Sequence, residues 1–246
     1  MRIVLSGAAG AMGQTLVRLL GAGYCGGQAV ALVDAQGGPG ILTDFSQVTE
    51  QADAVLDFSF HTATAGALAY ALAHRLPLVV GTTGHTPREK AAVEAAAREI
   101  PVFYSGNMSL GIAVLCRLVR EAVRAFPDAD VEIVEAHHNR KVDAPSGTAL
   151  MLFQAAQEVR PQARPVCGRS GQARREKEDI GISSLRLGGL VGVHEVIIST
   201  GTQTLTLRHE AHDRALFAQG ALEAAAYLLD RPAGLYGMED LVKSRR

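Results

Sequence analysis

Five short runs of aliphatic and β-branched residues alternate with longer Ala-rich stretches over the first hundred positions. Continuous apolar runs of this length predict strands that are buried on both faces, with helices between them. The predicted strands cover residues 3–5, 29–33, 54–58, 78–80 and 102–104, and the predicted helices cover residues 14–20, 62–74 and 87–99. This alternation is typical of an α/β fold, with a Rossmann-type doubly wound parallel sheet.

The pattern changes after residue 108. A long helix, a strand and a helix opening near Ser146 precede three strand-like runs, the last two of which are separated by a turn. The long helix is predicted at residues 112–126, and the strands at residues 131–135, 182–187, 193–199 and 204–208. Consecutive strands favour a mixed or antiparallel sheet in an α+β domain. The charged stretch 174–179 is predicted to be a mobile solvated loop rather than a binding patch.

Charge and cysteine content exclude several classes of function. The 246 residues carry a formal net charge of −1, which gives no field that would attract nucleic acid or an anionic membrane. Cys25, Cys116 and Cys167 form no CxxC pair, so we expect no disulfide framework and no metal site. No apolar stretch is long enough to cross a bilayer. We therefore expect a cytoplasmic protein with no nucleic-acid or membrane partner.

A glycine-rich turn joins the first strand to the first helix. Gly7, Gly10 and Gly13 have the spacing G-x-x-G-x-x-G, and Asp34 follows at the end of the second strand. Such a turn brings the backbone close to a pyrophosphate, while a carboxylate about twenty residues on binds ribose hydroxyls. The pattern predicts a nicotinamide dinucleotide site. The alternative is an ordinary strand–helix turn with a capping Asp.

Asp34 also indicates which dinucleotide is preferred. A carboxylate accepts a hydrogen bond from a ribose 2′-hydroxyl but repels a 2′-phosphate, and the next two residues, Ala35 and Gln36, supply no cation. We expect NADH to be preferred over NADPH. A charge from Arg18 or from a partner subunit would reverse this expectation.

Two further loops follow predicted strands of the same sheet. Gly81, Thr82 and Thr83 come after the fourth strand. The fifth strand is followed by Ser105, Gly106, Asn107 and Met108. Since ligands of doubly wound sheets lie beyond the carboxyl ends of the strands, the first loop is expected on the nicotinamide side of the cofactor. The second loop is expected at the same edge of the sheet and marks the hinge between the two domains. The alternative for the first loop is a Gly/Thr turn with capping hydroxyl groups.

The segment from Glu135 to Ala149 is the richest in chemically active side chains. His137, His138, Arg140 and Lys141 fall within five residues, just past an apolar strand. Neighbouring strand residues point to opposite faces, so the two histidines are expected to have different roles. Cations beside a helix N-terminus suit a small anionic substrate, and His transfers protons near neutral pH. The alternative is a solvated basic loop with a structural histidine pair.

This segment resembles the signature of the 4-hydroxy-tetrahydrodipicolinate reductases, also called dihydrodipicolinate reductases. It reads Glu-Ala-His-His-x-x-Lys-x-Asp-Ala-Pro-Ser-Gly-Thr-Ala from Glu135 onward. The likeness extends along nearly the whole chain. It takes in the glycine turn and residues 57–59, 81–84, 107–111, 186–194 and 234–238.

The resemblance implies a hydride transfer from a nicotinamide cofactor to a small dicarboxylate, in a homotetramer. It implies that His137 is a proton donor and acceptor, that Lys141 is a second proton donor and that His138 contacts the substrate. Gly147 and Thr148 would clamp a substrate carboxylate. The implied cofactor contacts are Gly7, Ala8, Ala9, Gly10, Ala11, Met12, Asp34, Gly81, Thr82, Thr83, Ser105, Gly106, Asn107 and Met108.

The chain departs from the family pattern at three places. Ala11 and Ala35 stand where many members carry a cation near the cofactor, and Ser105-Gly106 replaces a more usual Ala-Pro. The first two departures put NADPH use in doubt. Two other functions stay open: a dehydrogenase of another small amino or keto acid, and a non-catalytic NAD-binding sensor.

These observations predict two domains. Residues 1–108 are expected to bind the dinucleotide, and residues 109–213 to bind the substrate and to form the subunit contacts. The Ala-rich helix at residues 214–229 is expected to pack back on the first domain, so that residues 214–246 belong with it.

Overall fold

The computed structural model describes residues 1–245. The chain forms two compact units. The first comprises Met1–Ser109 together with the chain from Ala215 onward, and the second comprises Leu110–Arg214. No helix among the described residues is long and apolar enough to cross a membrane.

The first unit is a parallel sheet with helices. Its strands are β1 (Arg2–Ser6), β2 (Gln28–Val33), β3 (Ala54–Asp57), β4 (Leu78–Val80), β5 (Pro101–Tyr104) and β11 (Gly234–Tyr236). Its helices are α1 (Ala11–Gly21), α2 (Thr64–His74), α3 (Pro87–Ala96), α6 (Ala215–Leu228) and α7 (Met238–Lys243). The strand order is β11-β5-β4-β3-β1-β2, and every neighbouring pair is parallel. The predicted Rossmann-type sheet is confirmed.

This order places β1 between β2 and β3, so the chain changes direction across the sheet at β1. Ligands of doubly wound sheets bind outside the carboxyl ends of the strands at such a switch point. The strands are wholly apolar where they are central: Ile3, Val4 and Leu5 are fully buried. Helix α6 packs on α1 and on the central strands, and thereby covers one face of the sheet.

The second unit is a mixed five-stranded sheet with two helices. Its strands are β6 (Asp130–His137), β7 (Arg164–Cys167), β8 (Asp179–Arg186), β9 (Gly192–Ser199) and β10 (Thr204–Ala211), and its helices are α4 (Leu110–Ala125) and α5 (Gly147–Gln157). The order is β10-β9-β6-β8-β7, with antiparallel pairs on one side of β6 and parallel pairs on the other. Alternate residues of β6 and β9, such as Ile133 and Val196, form a buried core with α4 and α5. The predicted mixed sheet is confirmed.

The predictions missed two short strands. β7 contains a proline, and neither β7 nor β11 has a buried residue, so neither has the apolar pattern of a strand. β11 is a strand because it pairs with β5 at the edge of the first sheet. The prediction for residues 174–179 was wrong in part. Asp179 is buried in β8, and the Arg175 side chain forms ion pairs with Asp130 and Glu132 instead of lying free in solvent.

Candidate active site

The glycine turn after β1 depends on two of its three glycines. Gly7 has a φ of +81°, and a Cβ at this position would lie 2.3 Å from the carbonyl oxygen of Phe58. A Cβ on Gly13 would lie 2.1 Å from the carbonyl oxygen of Gly7. Both positions therefore exclude any side chain, because backbone atoms of the neighbouring loop and of the turn itself occupy that space.

The third glycine faces solvent. Gly10 is the N-cap of α1, offers no side-chain cap and is exposed. A Cβ on Gly10 would have as its nearest neighbour the Gly7 carbonyl oxygen at 3.4 Å. Helix geometry leaves the first N–H groups of α1 without partners in the helix, and these belong to Ala11, Met12 and Gly13. The turn is therefore open on the side where these N–H groups attract an anion.

A cleft of about 580 Å³ lies over this turn. It is lined from the carboxyl ends of β1, β2 and β3, including Gly7, Gly10, Asp34 and Phe58. The Asp34 carboxylate accepts hydrogen bonds from the backbone N–H groups of Ala9 (3.1 Å) and Gln36 (3.0 Å). Asp34 is thus held beside the turn, and it is also a capping residue of it. The capping role that the sequence left open as the alternative is therefore present at this residue.

The charged side chains described in the lining of the cleft are all acidic. Its charged lining residues are Asp34 and Asp44, and no Lys, Arg or His contributes to the part described. Two aromatic residues that sequence reasoning did not single out, Phe45 and Phe60, also line it. Phe60 is 67% exposed, and the ring of the neighbouring His61 lies against it with 4.4 Å between the centroids.

The loop after β4 is tied to the end of β3. The hydroxyl of Thr82 donates to Oδ2 of Asp57 at 2.9 Å, and Asp57 is completely buried. Thr64 donates to the same oxygen at 2.7 Å, and Ser59 donates to the other at 2.5 Å. Because the hydroxyl of Thr82 is used in this way, its backbone is the part left for a ligand. The ring of Phe58 packs against Gly81, so that a Cβ at position 81 would lie only 2.2 Å from that ring.

The other predicted cofactor residues lie at the same edge of the sheet. Ser105 and Asn107 hydrogen-bond to each other, and the Asn107 side chain accepts from the backbone N–H of Ser109. Met108 is buried, and its carbonyl oxygen packs against Gly220 of α6. Its side chain therefore supports the loop from within. A Cβ on Gly106 would touch Thr83 at 3.4 Å, so the loops after β4 and β5 are neighbours. Ala8 is buried beneath the turn.

In the second unit, the end of β6 holds a buried charge network. Glu135 is fully buried and accepts a 2.6 Å hydrogen bond from Nδ1 of His137. Arg186 of β8 donates to both oxygens of the Glu135 carboxylate at 2.8 Å. Burial raises the pKa of Glu135, but hydrogen bonds from Arg186, Ser184, His137 and Ser146 outweigh it and lower the pKa to about 2. Glu135 is therefore a carboxylate at neutral pH.

The two histidines do have different surroundings. His137 lies on the same face of β6 as Glu135, whereas His138 leaves the strand and contacts Arg214, with 3.1 Å between its Nε2 and the guanidinium. Burial lowers the pKa of His138, and the neighbouring Arg140 and Arg214 lower it further. His138 is accordingly a neutral ring that accepts a hydrogen bond from Arg214.

Lys141 lies in the loop that follows. Its ammonium group forms a 2.8 Å ion pair with Asp143, and this contact lowers the pKa of the Asp143 carboxyl. The loop returns to the N-terminus of α5, where Ser146 is the N-cap and accepts from the backbone N–H of Ala149. Gly147 is exposed, and a Cβ there would meet nothing within 4 Å. Thr148 follows in the same turn of the helix.

Four residues of this network were not assigned a role from the sequence: Glu135, Arg186, His194 and Arg214. Glu135 had a detectable signal, since it stands two residues before His137 on one strand and so shares its face. The other three come from distant parts of the chain. Only the register of β6 with β8 and β9, which pairs His137 with Arg186 and Glu135 with His194, brings two of them here.

Comparison with known proteins identifies the family. Residues 1–108 match the family model described as dihydrodipicolinate reductase, N-terminus, and residues 111–242 match the model described as dihydrodipicolinate reductase, C-terminus. A 4-hydroxy-tetrahydrodipicolinate reductase of Caldanaerobacter subterraneus subsp. tengcongensis is 42% identical over 99% of this chain and 98% of the relative. One of Parvibaculum lavamentivorans is 40% identical over 98% of this chain and 97% of the relative.

A solved structure has the same fold. The dipicolinate-bound dihydrodipicolinate reductase from Paenisporosarcina sp. TG-14 superposes with a TM-score of 0.80 at 24% identity, and the match covers 98% of each chain. Two family models therefore span both units, and full-length relatives agree with them. The chain belongs to the dihydrodipicolinate reductase family.

Proposed function

We propose that the protein is a 4-hydroxy-tetrahydrodipicolinate reductase. In this reaction NAD(P)H reduces 4-hydroxy-tetrahydrodipicolinate to tetrahydrodipicolinate with loss of water, a step of lysine and diaminopimelate biosynthesis. The observation that carries the proposal is the arrangement at the end of β6, where His137, Lys141 and the N-terminus of α5 belong to one hydrogen-bonded network. This network lies in the segment that carries the family signature.

The first unit fits a nicotinamide dinucleotide. The pyrophosphate would lie against Gly10 and the first N–H groups of α1, and a ribose against Asp34, while Phe60 offers a ring face to the adenine. When bound, the dinucleotide supplies the hydride. The loops at residues 81–83 and 105–108 lie at the same sheet edge and would contact its nicotinamide half through their backbone.

The cleft favours NADH over NADPH. A 2′-phosphate carries negative charge and would lie beside Asp34, with Asp44 in the same cleft. Ala35 and Gln36 supply no cation to offset this repulsion. Arg18, the cation considered from the sequence, is bonded to Thr15 on α1 and does not line the cleft.

The second unit fits a dicarboxylate. Gly147 and Thr148 would clamp one carboxylate at the N-terminus of α5, and His138 with the cations around it would contact the substrate. Hydride addition to a conjugated ring must be accompanied by a proton. In this proposal His137 transfers it through Nε2, and Lys141 acts as the second proton donor.

Assembly and location are part of the proposal. The outer face of the second sheet carries partly buried apolar residues, among them Val134, Val193 and Ile197. Burying such a face against other copies of the chain would form the homotetramer that the family resemblance implies. The three cysteines are free, which fits a cytoplasmic, reducing environment.

The activity is tested by mixing the purified protein with NADH and freshly made product of dihydrodipicolinate synthase, and following the loss of nicotinamide absorbance. Rapid, substrate-dependent oxidation is expected. The variant carrying both His137→Gln and Lys141→Ala should bind NADH as the wild type does but lose turnover. Tight NADH binding without oxidation by the wild type would contradict the proposal and would direct the search to other small dicarboxylates. Equal turnover in the double variant would remove the proposed roles of the two residues.

A further inference from the structure

Glu135 is the point where three elements of the second unit meet. Its carboxylate receives His137 from its own strand β6, Arg186 from β8 and the backbone N–H of Ser146 from the N-cap of α5, at distances from 2.6 to 3.1 Å. A buried carboxylate is costly unless it is paired and its oxygens are satisfied. Each oxygen of Glu135 has two donors, so the charge is retained and the three elements are fixed around it.

This arrangement determines where the proton of His137 is. An ionised carboxylate has no hydrogen to donate, so the ring nitrogen that faces it must carry one. That nitrogen is Nδ1, and the neutral ring therefore has its lone pair on Nε2. No described residue is hydrogen-bonded to Nε2. Gly192 keeps its surroundings open, because a Cβ there would lie 3.1 Å from Nε2.

Arg186 also contacts the loop that holds Lys141, the proposed second proton donor. Besides its two bonds to Glu135, its guanidinium donates to the carbonyl oxygen of Asp143 at 2.5 Å. Asp143 is the ion-pair partner of Lys141. The pair of Glu135 and Arg186 thus contacts the backbone of the Lys141 loop, the imidazole of His137 and the first turn of α5.

We propose that Glu135 is the positioning residue of this site: with Arg186 it holds His137 in the Nδ1–H form, leaving Nε2 to exchange the proton with the substrate. Glu135 itself touches no reacting atom. The inference rests on the proposed function for the identity of the reaction, but the protonation pattern of His137 is a property of the protein alone. It is therefore testable whether or not the reaction is the one proposed.

The first test measures that pattern directly. Protein labelled with ¹⁵N in its histidines is examined by long-range ¹H–¹⁵N correlation at a pH where the rings are neutral, and the His137 signals are assigned by their loss in His137→Gln. We expect Nδ1 of His137 to have the shift of a protonated nitrogen and Nε2 that of an unprotonated one. A ring protonated at Nε2 would overturn the proposal. This measurement uses the wild type and so does not depend on whether a variant folds.

The second test separates positioning from a purely structural role. Glu135→Gln keeps the shape of the side chain but can turn its NH₂ group toward Nδ1, so the Nε2–H form of His137 should become populated. We expect kcat to fall roughly 100-fold with KM within about threefold, since a general acid or base contributes on the order of 10²–10⁴ to the rate. Unchanged kcat in a folded Glu135→Gln protein would overturn the proposal.

Asp179→Asn is the matched control. Asp179 is a buried carboxylate of the same sheet, is paired with Arg164 and Arg169, and has its pKa lowered to about 2 mainly by the backbone N–H of Glu176. Removing the charge of this carboxylate should reduce the stability of the protein but leave kcat and the His137 spectrum as in the wild type. A wild-type protein that shows the Nδ1–H form but no turnover would contradict the proposed function and leave the positioning role in place. Equal falls of kcat in both variants would show that Glu135 acts only through stability.

Discussion

Ser146 and His194 are hydrogen-bonded across the second unit, with 3.1 Å between the Ser146 hydroxyl oxygen and Nε2 of His194. Ser146 caps α5, and His194 lies on β9 opposite Glu135, so the contact joins the helix to the sheet below it. His194 is buried, and its ring packs edge-on against His137 with 5.0 Å between centroids. The N-cap residue of α5 is therefore hydrogen-bonded to an uncharged histidine.

The charge state of His194 makes stability depend on pH. Burial lowers its pKa, and the neighbouring His137 adds to this, so that it titrates at about 4 in the folded protein and near 6.5 when unfolded. As the pH falls, His194 is protonated in the unfolded chain before it is protonated in the folded protein, which favours unfolding. The stability that the neutral ring contributes is therefore complete above pH 6.5 and is lost between pH 6.5 and pH 4. When the pH is lowered from about 7.5 to about 5, we expect the titration of His194 to lower the free energy of unfolding by about 2 kcal/mol.

Urea denaturation of the wild type and of His194→Gln at these two pH values measures the effect. Glutamine can still bond to Ser146 but does not titrate, so the loss of stability on acidification should be smaller by about 2 kcal/mol in the variant. His212→Gln, at an exposed position, serves as the control and should follow the wild type. The same acid dependence in wild type and His194→Gln would contradict the assignment.

The glycine turn predicts opposite outcomes for two similar substitutions. Gly13→Ala forces a Cβ to within 2.1 Å of the Gly7 carbonyl oxygen, so the turn must move and stability should fall by about 1–3 kcal/mol. Gly10→Ala meets nothing closer than 3.4 Å and should fold with little change in Tm, but its methyl group should weaken NADH binding about tenfold or more. Thermal denaturation and fluorescence titration of NADH separate the two effects. Equal Tm values for both variants would contradict this account of Gly13.

A cation introduced beside Asp34 should change the cofactor preference. Ala35→Arg places a guanidinium where a 2′-phosphate would lie, and a hydrogen bond to a charged group contributes about 1.5–3 kcal/mol. We expect kcat/KM for NADPH relative to NADH to rise by roughly ten- to a hundredfold. Ala35→Gln, of similar length without the charge, is the control. A wild type that already prefers NADPH would contradict the role given to Asp34, whatever the variant does.

The hydroxyl of Thr82 supports the loop after β4 from inside. Thr82→Val keeps the shape but leaves the buried carboxylate of Asp57 one donor short, which should cost about 1–3 kcal/mol of stability and loosen the loop. The dissociation constant for NADH should rise with it. Thr82→Ser retains the hydroxyl and should restore most of both quantities. If Thr82→Val and Thr82→Ser behave alike, the bond to Asp57 does not hold the loop.

Local patterns predicted most of the regular elements. Runs such as Ile3 to Leu5 are apolar at every position and read as strands buried on both faces, and the glycines at 7, 10 and 13 mark a turn that no other residue fits at two of the three places. The sheets, the cofactor turn and the segment at the end of β6 follow from such signals. The reason is that backbone preferences and the period of apolar residues act over a few neighbouring positions.

The residues that organise the site were decided by tertiary structure. Arg186 reaches Glu135 because β8 pairs with β6 in a register set by the buried face, over fifty residues away in the chain. β11 is a strand because β5 presents a free edge to it. The hydroxyl of Thr82, in a loop that the sequence predicts to contact the cofactor, donates to Asp57, since a buried carboxylate must be supplied with donors. Apolar periodicity along the chain carries no information on such pairings, because the energy of a buried polar contact depends on which distant group the packed core places opposite it.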